Sequence, residues 1–191
     1  IQLFSGPGLL SKSAARVQKL VRKSLISKGI EIIDRGYVKG VKDGEITLEN
    51  KATYHADIIF PAIGVMPSPI FAKSLLETGP DGGLKVNEFL QSTSHPTVFG
   101  GGDCIYFTDK PLDKVGVYAV RQNAVLYQNL MAMLDGKPLR SFSPDDDYLL
   151  IYNLGDRDGI LSKGFITFSG KFAFIIKDYI DRKFIKRFHH L

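Results

Sequence analysis

The sequence has one cysteine, Cys104, in 191 residues. That excludes an internal disulfide and any intrachain cysteine pair. No apolar run approaches the ~18 residues that a membrane-spanning helix needs, and no stretch reads as a signal peptide. Neither G-x-G-x-x-G nor G-x-x-x-x-G-K-[ST] occurs, so no phosphate cradle of those kinds is expected. The Ser5-Gly6-Pro7-Gly8 loop lacks the required glycine spacing. The four histidines show no metal-ligand spacing, and no metal is expected. His55 and His95 read as surface or loop residues, and no Ser/His/Asp set stands out. Cys104 has no visible activating partner. Internal repeats and low-complexity segments are absent.

The composition is that of a globular chain, 44% hydrophobic and 24% charged. The net charge of +5 is concentrated in two helical stretches. No basic residue sits in a nucleic-acid recognition motif, so nucleic acid is not an expected partner. The chain begins at Ile1 inside an apparent strand, which points to a piece of a longer protein.

Ile1 to Phe4 reads as a strand. Ser13 to Lys28 reads as a helix, with Ala14, Val17, Leu20, Val21 and Leu25 at three- and four-residue steps, a serine cap and Gly29 as stop. Its Lys12, Arg16, Lys19, Arg22 and Lys23 face reads as solvated surface. Ile30 to Ile33 completes a βαβ unit and implies a parallel sheet. A hairpin across Asp43-Gly44 follows. Residues 56–64 hold almost no polar side chain and read as a strand buried on both faces. Prolines and glycines then cluster through residue 83, where a domain crossover is expected. Leu84 to Phe89 is a further strand and Gly116 to Leu134 the longest helix, with Val117, Val120, Ala124, Leu126, Leu130 and Leu134 available for burial. A second hairpin spans Tyr148 to Ser162, and a helix over 170–188 closes the chain.

The segment that organises the rest is Thr97-Val98-Phe99-Gly100-Gly101-Gly102-Asp103. Its first three residues read as a short buried strand. The glycines then remove every Cβ, so that a ligand can approach, and Asp103 offers an acceptor where open α/β sheets bind cofactors. A tight turn with a capping Asp is the other reading. The helix that begins near Gly116 supplies free N–H groups and a positive dipole end. Together they suit a ligand with a polyol or phosphate at one end and a ring bearing partial negative charge at the other. A flavin has both.

These residues resemble a known family. Thr97-Val98-Phe99-x-x-Gly102-Asp103 is similar to the second flavin motif of the pyridine nucleotide-disulfide oxidoreductase superfamily, with Gly100 in place of a motif alanine. Ala62-Ile63-Gly64-x-x-Pro67 is similar to its A-T-G-x-x-P segment. Lys114-Val115-Gly116-Val117-Tyr118-Ala119-Val120-Arg121-Gln122 and Lys177-Asp178-Tyr179-Ile180-Asp181-Arg182-Lys183-Phe184 resemble the type II NADH dehydrogenase-like branch, closest to the flavoprotein module fused to selenide, water dikinase.

The resemblance implies an α/β fold, a partial two-dinucleotide-binding-domain FAD/NAD(P) flavoprotein with a C-terminal hairpin-plus-helix region. Residues 1–70 would be the C-terminal half of the NAD(P) domain, 71–140 the C-terminal part of the FAD domain, and 141–191 the hairpin and amphipathic helix. It implies FAD and NAD(P)H as cofactors, with hydride passing to flavin and electrons to a quinone or another small acceptor. Asp103 would bond the ribityl chain and Gly102 allow close approach. The backbone at Val117 and Tyr118 would face the pyrimidine end of the flavin ring. Gln122 would stand on the acceptor side, and Gly64 on the nicotinamide side. Ser5-Gly6 stands where the family's ribose-binding acid ends the first strand. Both glycine fingerprints would lie upstream of Ile1, so this chain alone is expected to be inactive and to hold FAD weakly.

The closing helix carries Phe172, Ile175, Ile176, Tyr179, Ile180, Phe184, Ile185 and Phe188 on one apolar face, among lysines and arginines. It is expected to touch a membrane surface, the preceding hairpin or a second subunit in a homodimer. The expected location is the cytoplasm, or peripheral on a membrane. A non-catalytic dimerisation or docking module and a sulfide:quinone oxidoreductase-like enzyme are the other readings.

Overall fold

The computed structural model describes residues 1–6, 8–145 and 148–186. The chain runs β1 (Gln2–Phe4), α1 (Ala15–Ser27), β2 (Glu31–Ile33), β3 (Val38–Lys42), β4 (Glu45–Leu48), β5 (Thr53–His55), α2 (Ile70–Lys73), β6 (Leu84–Val86), a 3-10 turn (Gly102–Cys104), β7 (Ile105–Phe107), α3 (Gly116–Leu134), β8 (Leu150–Gly155), β9 (Asp158–Lys163), β10 (Ile166–Gly170) and α4 (Lys171–Lys186). It divides into two compact units, Ile1–Pro61 with Asp147–Leu191, and Ala62–Asp146.

In the first unit β1 and β2 pair in parallel, with Leu3 opposite Ile32, and α1 connects them. The βαβ unit expected from the sequence is therefore present. Alternation along each strand sends side chains to two cores. Leu3 and Ile32 pack with Val17 and Val21 of α1 and with Ile160 of β9. Phe4 and Ile33 pack with Ile46 and Leu48 of the meander β3–β4–β5, where Phe4 and Tyr54 meet edge to face at 5.1 Å. The expected serine cap of α1 is not made. Ala14 occupies the N-cap with no side-chain bond, and Ser13 hydrogen-bonds Tyr152 Oη at 2.9 Å.

Strands β8, β9 and β10 form an antiparallel sheet in that order. Helix α4 lies on it through Ala173, which is fully buried. A Cβ at Gly159 would come within 3.2 Å of the Phe174 N atom, so glycine and alanine set this close approach. Of the expected apolar face, Ile176 alone among the described residues is turned partly inward, and Ile180, Phe184 and Ile185 are exposed with the rest. Phe174 and Ile176 are half-buried, while Phe172, Ile175 and Tyr179 stay 69%, 58% and 64% exposed. The last expected position, Phe188, lies outside the described residues.

Two strand expectations fail. Residues 56–64 form no strand, and Ile58, Phe60 and Ile63 are 72%, 86% and 94% exposed. An apolar run becomes a strand only beside an edge that takes its N–H and C=O groups, and past Ala56, whose N–H meets the Gly44 carbonyl at 2.9 Å, no strand edge runs beside it among the described residues. Thr97 to Phe99 is not a buried strand either. Thr97 is exposed, and Phe99 makes one antiparallel bridge to Gln91. Pro96 withholds a ladder donor just before it.

The second unit is built on β6 and β7, paired in parallel, with Leu84, Val86, Ile105 and Phe107 all buried. The β7 strand was not expected from sequence. Helix α3 occupies its expected span but turns a different face inward. Tyr118, Gln122, Val125 and Asn129 are buried, whereas Val120, Leu130 and Leu134 are exposed. Leu126 and Val117 are half-buried and Ala124 is exposed. The polar pair wins its place by satisfying loop backbone, the demand that apolar counting omits.

Candidate functional site

The three glycines admit the chain's own neighbours. A Cβ at Gly100 would lie 2.7 Å from Ile105 Cγ2 and 3.1 Å from Leu84 Cδ2. One at Gly101 would meet Leu126 Cδ2 at 3.3 Å, and one at Gly102 would meet Ala119 Cβ at 3.3 Å. Gly102 also has φ +75°, a conformation that strains any residue with a Cβ. The close approach seen at this turn is thus that of α3, which seats the Gly101–Gly102–Asp103 backbone against its opening turns.

One polar bond fixes the seating. Gln122, 2% exposed, accepts the Gly102 N–H on Oε1 at 2.5 Å. The N-cap of the 3-10 turn is Gly101, which has no side chain to offer it, and Asp103 stands in its first turn. The Cys104 thiol donates to the Gly101 carbonyl at 3.1 Å, a local bond that gives it no catalytic partner.

A small depression opens at the start of α3. It is lined by Gly102, Asp103, Ile105, Phe107, Leu112, Asp113, Lys114, Tyr118 and Gln122. Four of the expected site residues therefore line it: Gly102, Asp103, Tyr118 and Gln122. Val117 is the neighbour of Tyr118 on the first turn of α3. Gly64 is not among the lining residues; it is exposed in an extended segment with φ +97°.

The N-terminus of α3 has no side-chain cap and no acid in its first turn. Its first N–H groups lack intrahelical acceptors, and that of Tyr118 is taken by the Val115 carbonyl at 3.0 Å. Gly116 and Val117 carry the first of these N–H groups, reinforced by the dipole of a 19-residue helix. Asp103 in the depression offers a carboxylate acceptor and the first residues of α3 carry backbone donors, the chemistry that the polyol and ring ends of a flavin call for. The fit is to that end alone, since no phosphate cradle accompanies it.

Lys114 anchors the entry to α3, and sequence reading did not single out its structural role. Its Nζ pairs with Asp81 Oδ2 at 2.9 Å and donates to the Ile105 carbonyl at 3.1 Å. Burial opposes ionisation of Asp81, but the bonds from Lys114 and from the Gly83 N–H outweigh it and hold the carboxyl below its ordinary value. A depressed carboxylate stabilises the fold in full above its unfolded value, about pH 4, and that contribution is lost as pH falls through the lower folded value. Thermal melts should therefore show an acid limb below about pH 4 that is shallower in Asp81→Asn than in the parent. Equal slopes would remove Asp81 from this linkage.

Among the described residues no group of three or more His, Cys, Asp or Glu side chains could hold a metal ion. No helix there is long and apolar enough to cross a membrane.

The model of the pyridine nucleotide-disulphide oxidoreductase family matches residues 4–127. Ferroptosis suppressor protein 1 of Xenopus laevis is 28% identical over 156 residues, covering 75% of this chain and 41% of that protein. FAD-dependent oxidoreductase FVFD30 of Flammulina velutipes is 27% identical over 117 residues, covering 60% of this chain and 35% of its own length. The chain thus spans well under half of these curated relatives. The solved sulfide:quinone oxidoreductase of Aquifex aeolicus superposes with a TM-score of 0.72 over 98% of this chain and 49% of its own, at 16% identity, a likeness of fold.

Proposed function

Because the chain belongs to the pyridine nucleotide-disulphide oxidoreductase family, we propose that it is the C-terminal part of a FAD-dependent NAD(P)H oxidoreductase whose electrons leave to a quinone or a similar small acceptor. The observation that carries this reading is the shared depression at the start of α3, where Gly102, Asp103, Tyr118 and Gln122 meet. Flavin, when bound, supplies the hydride and electron chemistry. The chain's own residues bind and orient it. Asp103 accepts a hydrogen bond from a ribityl hydroxyl. The Gly116 and Val117 N–H groups and the α3 dipole favour negative charge at the pyrimidine end. Tyr118, buried, backs this first turn. Gly64 stands on the nicotinamide side. The quinone class is suggested by the fold-likeness to the sulfide:quinone oxidoreductase.

Purification of the protein at full length tests the reading. A yellow preparation that releases FAD on denaturation is expected. A colourless one that FAD cannot reconstitute favours the non-catalytic docking module instead.

The exposure of Phe172, Ile175 and Tyr179 on α4 supports a second proposal, contact with a membrane surface. Lys183 lies over the Tyr179 ring at 5.9 Å, and Lys186 continues the same side of the helix. Apolar and basic groups together suit an anionic lipid interface. The full-length protein should float with anionic vesicles and sediment with neutral ones. Retention in the soluble fraction with both, or a dimer that Phe172→Ser dissolves, would assign the face to protein instead.

A further inference from the structure

The resemblance puts Gln122 on the acceptor side, but its geometry gives it another task. Its side chain is buried in the second turn of α3, with Oε1 on the Gly102 N–H at 2.5 Å. A backbone N–H can only donate, so the amide oxygen must face it. Twenty residues separate the partners, and no capping side chain closes the turn itself. Ala119 and Leu126 of α3 stand close against the same turn, each within 3.3 Å of where a Cβ at Gly102 or Gly101 would lie. Those fix the distance between turn and helix; the amide bond fixes the rotation of the Gly102 peptide. That peptide joins Gly101 to Gly102, one residue before Asp103.

We infer that Gln122 is a positioning residue: its side-chain carbonyl locks the Gly101–Gly102–Asp103 turn onto α3 and so sets where the Asp103 carboxylate stands. The inference rests on the flavin reading, since the position of Asp103 matters only if a ligand is held there. It makes a distinct demand, because an acceptor-side residue would act on the acceptor and leave flavin retention alone.

The test uses the full-length flavoprotein with Gln122→Leu and Gln122→Glu. Leucine removes the acceptor at similar volume, whereas glutamate keeps an oxygen for the Gly102 N–H. The leucine variant should raise the FAD Kd about tenfold or more, and the glutamate variant should stay within about threefold of the parent. With saturating FAD, the acceptor KM should be unchanged in both. If the leucine variant does not fold, the glutamate variant decides: parental FAD retention with unchanged acceptor KM supports positioning. A raised acceptor KM with parental FAD retention in either variant overturns it. A parent that binds no FAD removes the flavin reading itself, and positioning with it.

Discussion

Asp103→Ala in the full-length protein should raise the FAD Kd roughly 10- to 100-fold, the loss expected for one hydrogen bond to a charged group. The melting temperature should hardly move. Asp103 is half-buried on the wall of the depression, and its turn is closed by backbone and by Gln122, with no side-chain cap. Removing the carboxylate therefore costs the ligand more than the fold. Asp103→Asn keeps one acceptor oxygen without the charge and should fall between the two. Equilibrium dialysis of FAD, read beside a thermal melt, separates the cases. Unchanged flavin affinity with a lowered melting temperature would return Asp103 to the role of a structural turn residue.

Asn129→Ala should be the most destabilising substitution at any polar residue of the second unit. Asn129 is fully buried and makes three bonds to backbone, each 2.8 Å long. Its Nδ2 donates to the carbonyls of Phe89 and Arg140, and its Oδ1 accepts the Arg140 N–H. It ties the irregular stretch after α3 to the loop after β6. Alongside it, the Phe142 N–H donates to the Glu88 carbonyl at 2.7 Å, and the Phe142 ring meets Phe107 edge to face at 5.7 Å. Alanine leaves two carbonyls and an N–H without partners, at a cost of about 3 kcal/mol. For a chain of this size that lowers the melting temperature by about 6–12 °C. Asn129→Asp keeps the volume but loses both donors and sets a carboxylate against two carbonyl oxygens, so it should be at least as damaging. If it melts like the parent, volume and not hydrogen bonding holds this position.

Much of this molecule is legible in its sequence where local chemistry and global fold agree. The β1–α1–β2 unit follows from helical periodicity between two short apolar strands. The Asp43-Gly44 hairpin follows from its turn, where both residues adopt positive φ. The span of α3 also follows from the sequence; its buried face does not. Valines and leucines at 120, 130 and 134 outnumber the apolar residues on the 118–122–125–129 line, yet that line is buried. Admitting amides at helical spacing to a core face would have found it, because loop backbone beside a helix needs polar partners. Residues 56–64 have the composition of a buried strand, but a strand needs an edge and composition cannot supply one. The glycines before Asp103 read in the sequence as room for a ligand. The structure shows α3 there.

The most direct measurement is an anaerobic titration of the purified full-length protein with NADH and NADPH, followed by a water-soluble quinone. The flavin bands should bleach with at least one nicotinamide and return when the quinone is added. Flavin bands that neither nicotinamide bleaches would contradict the proposed reaction.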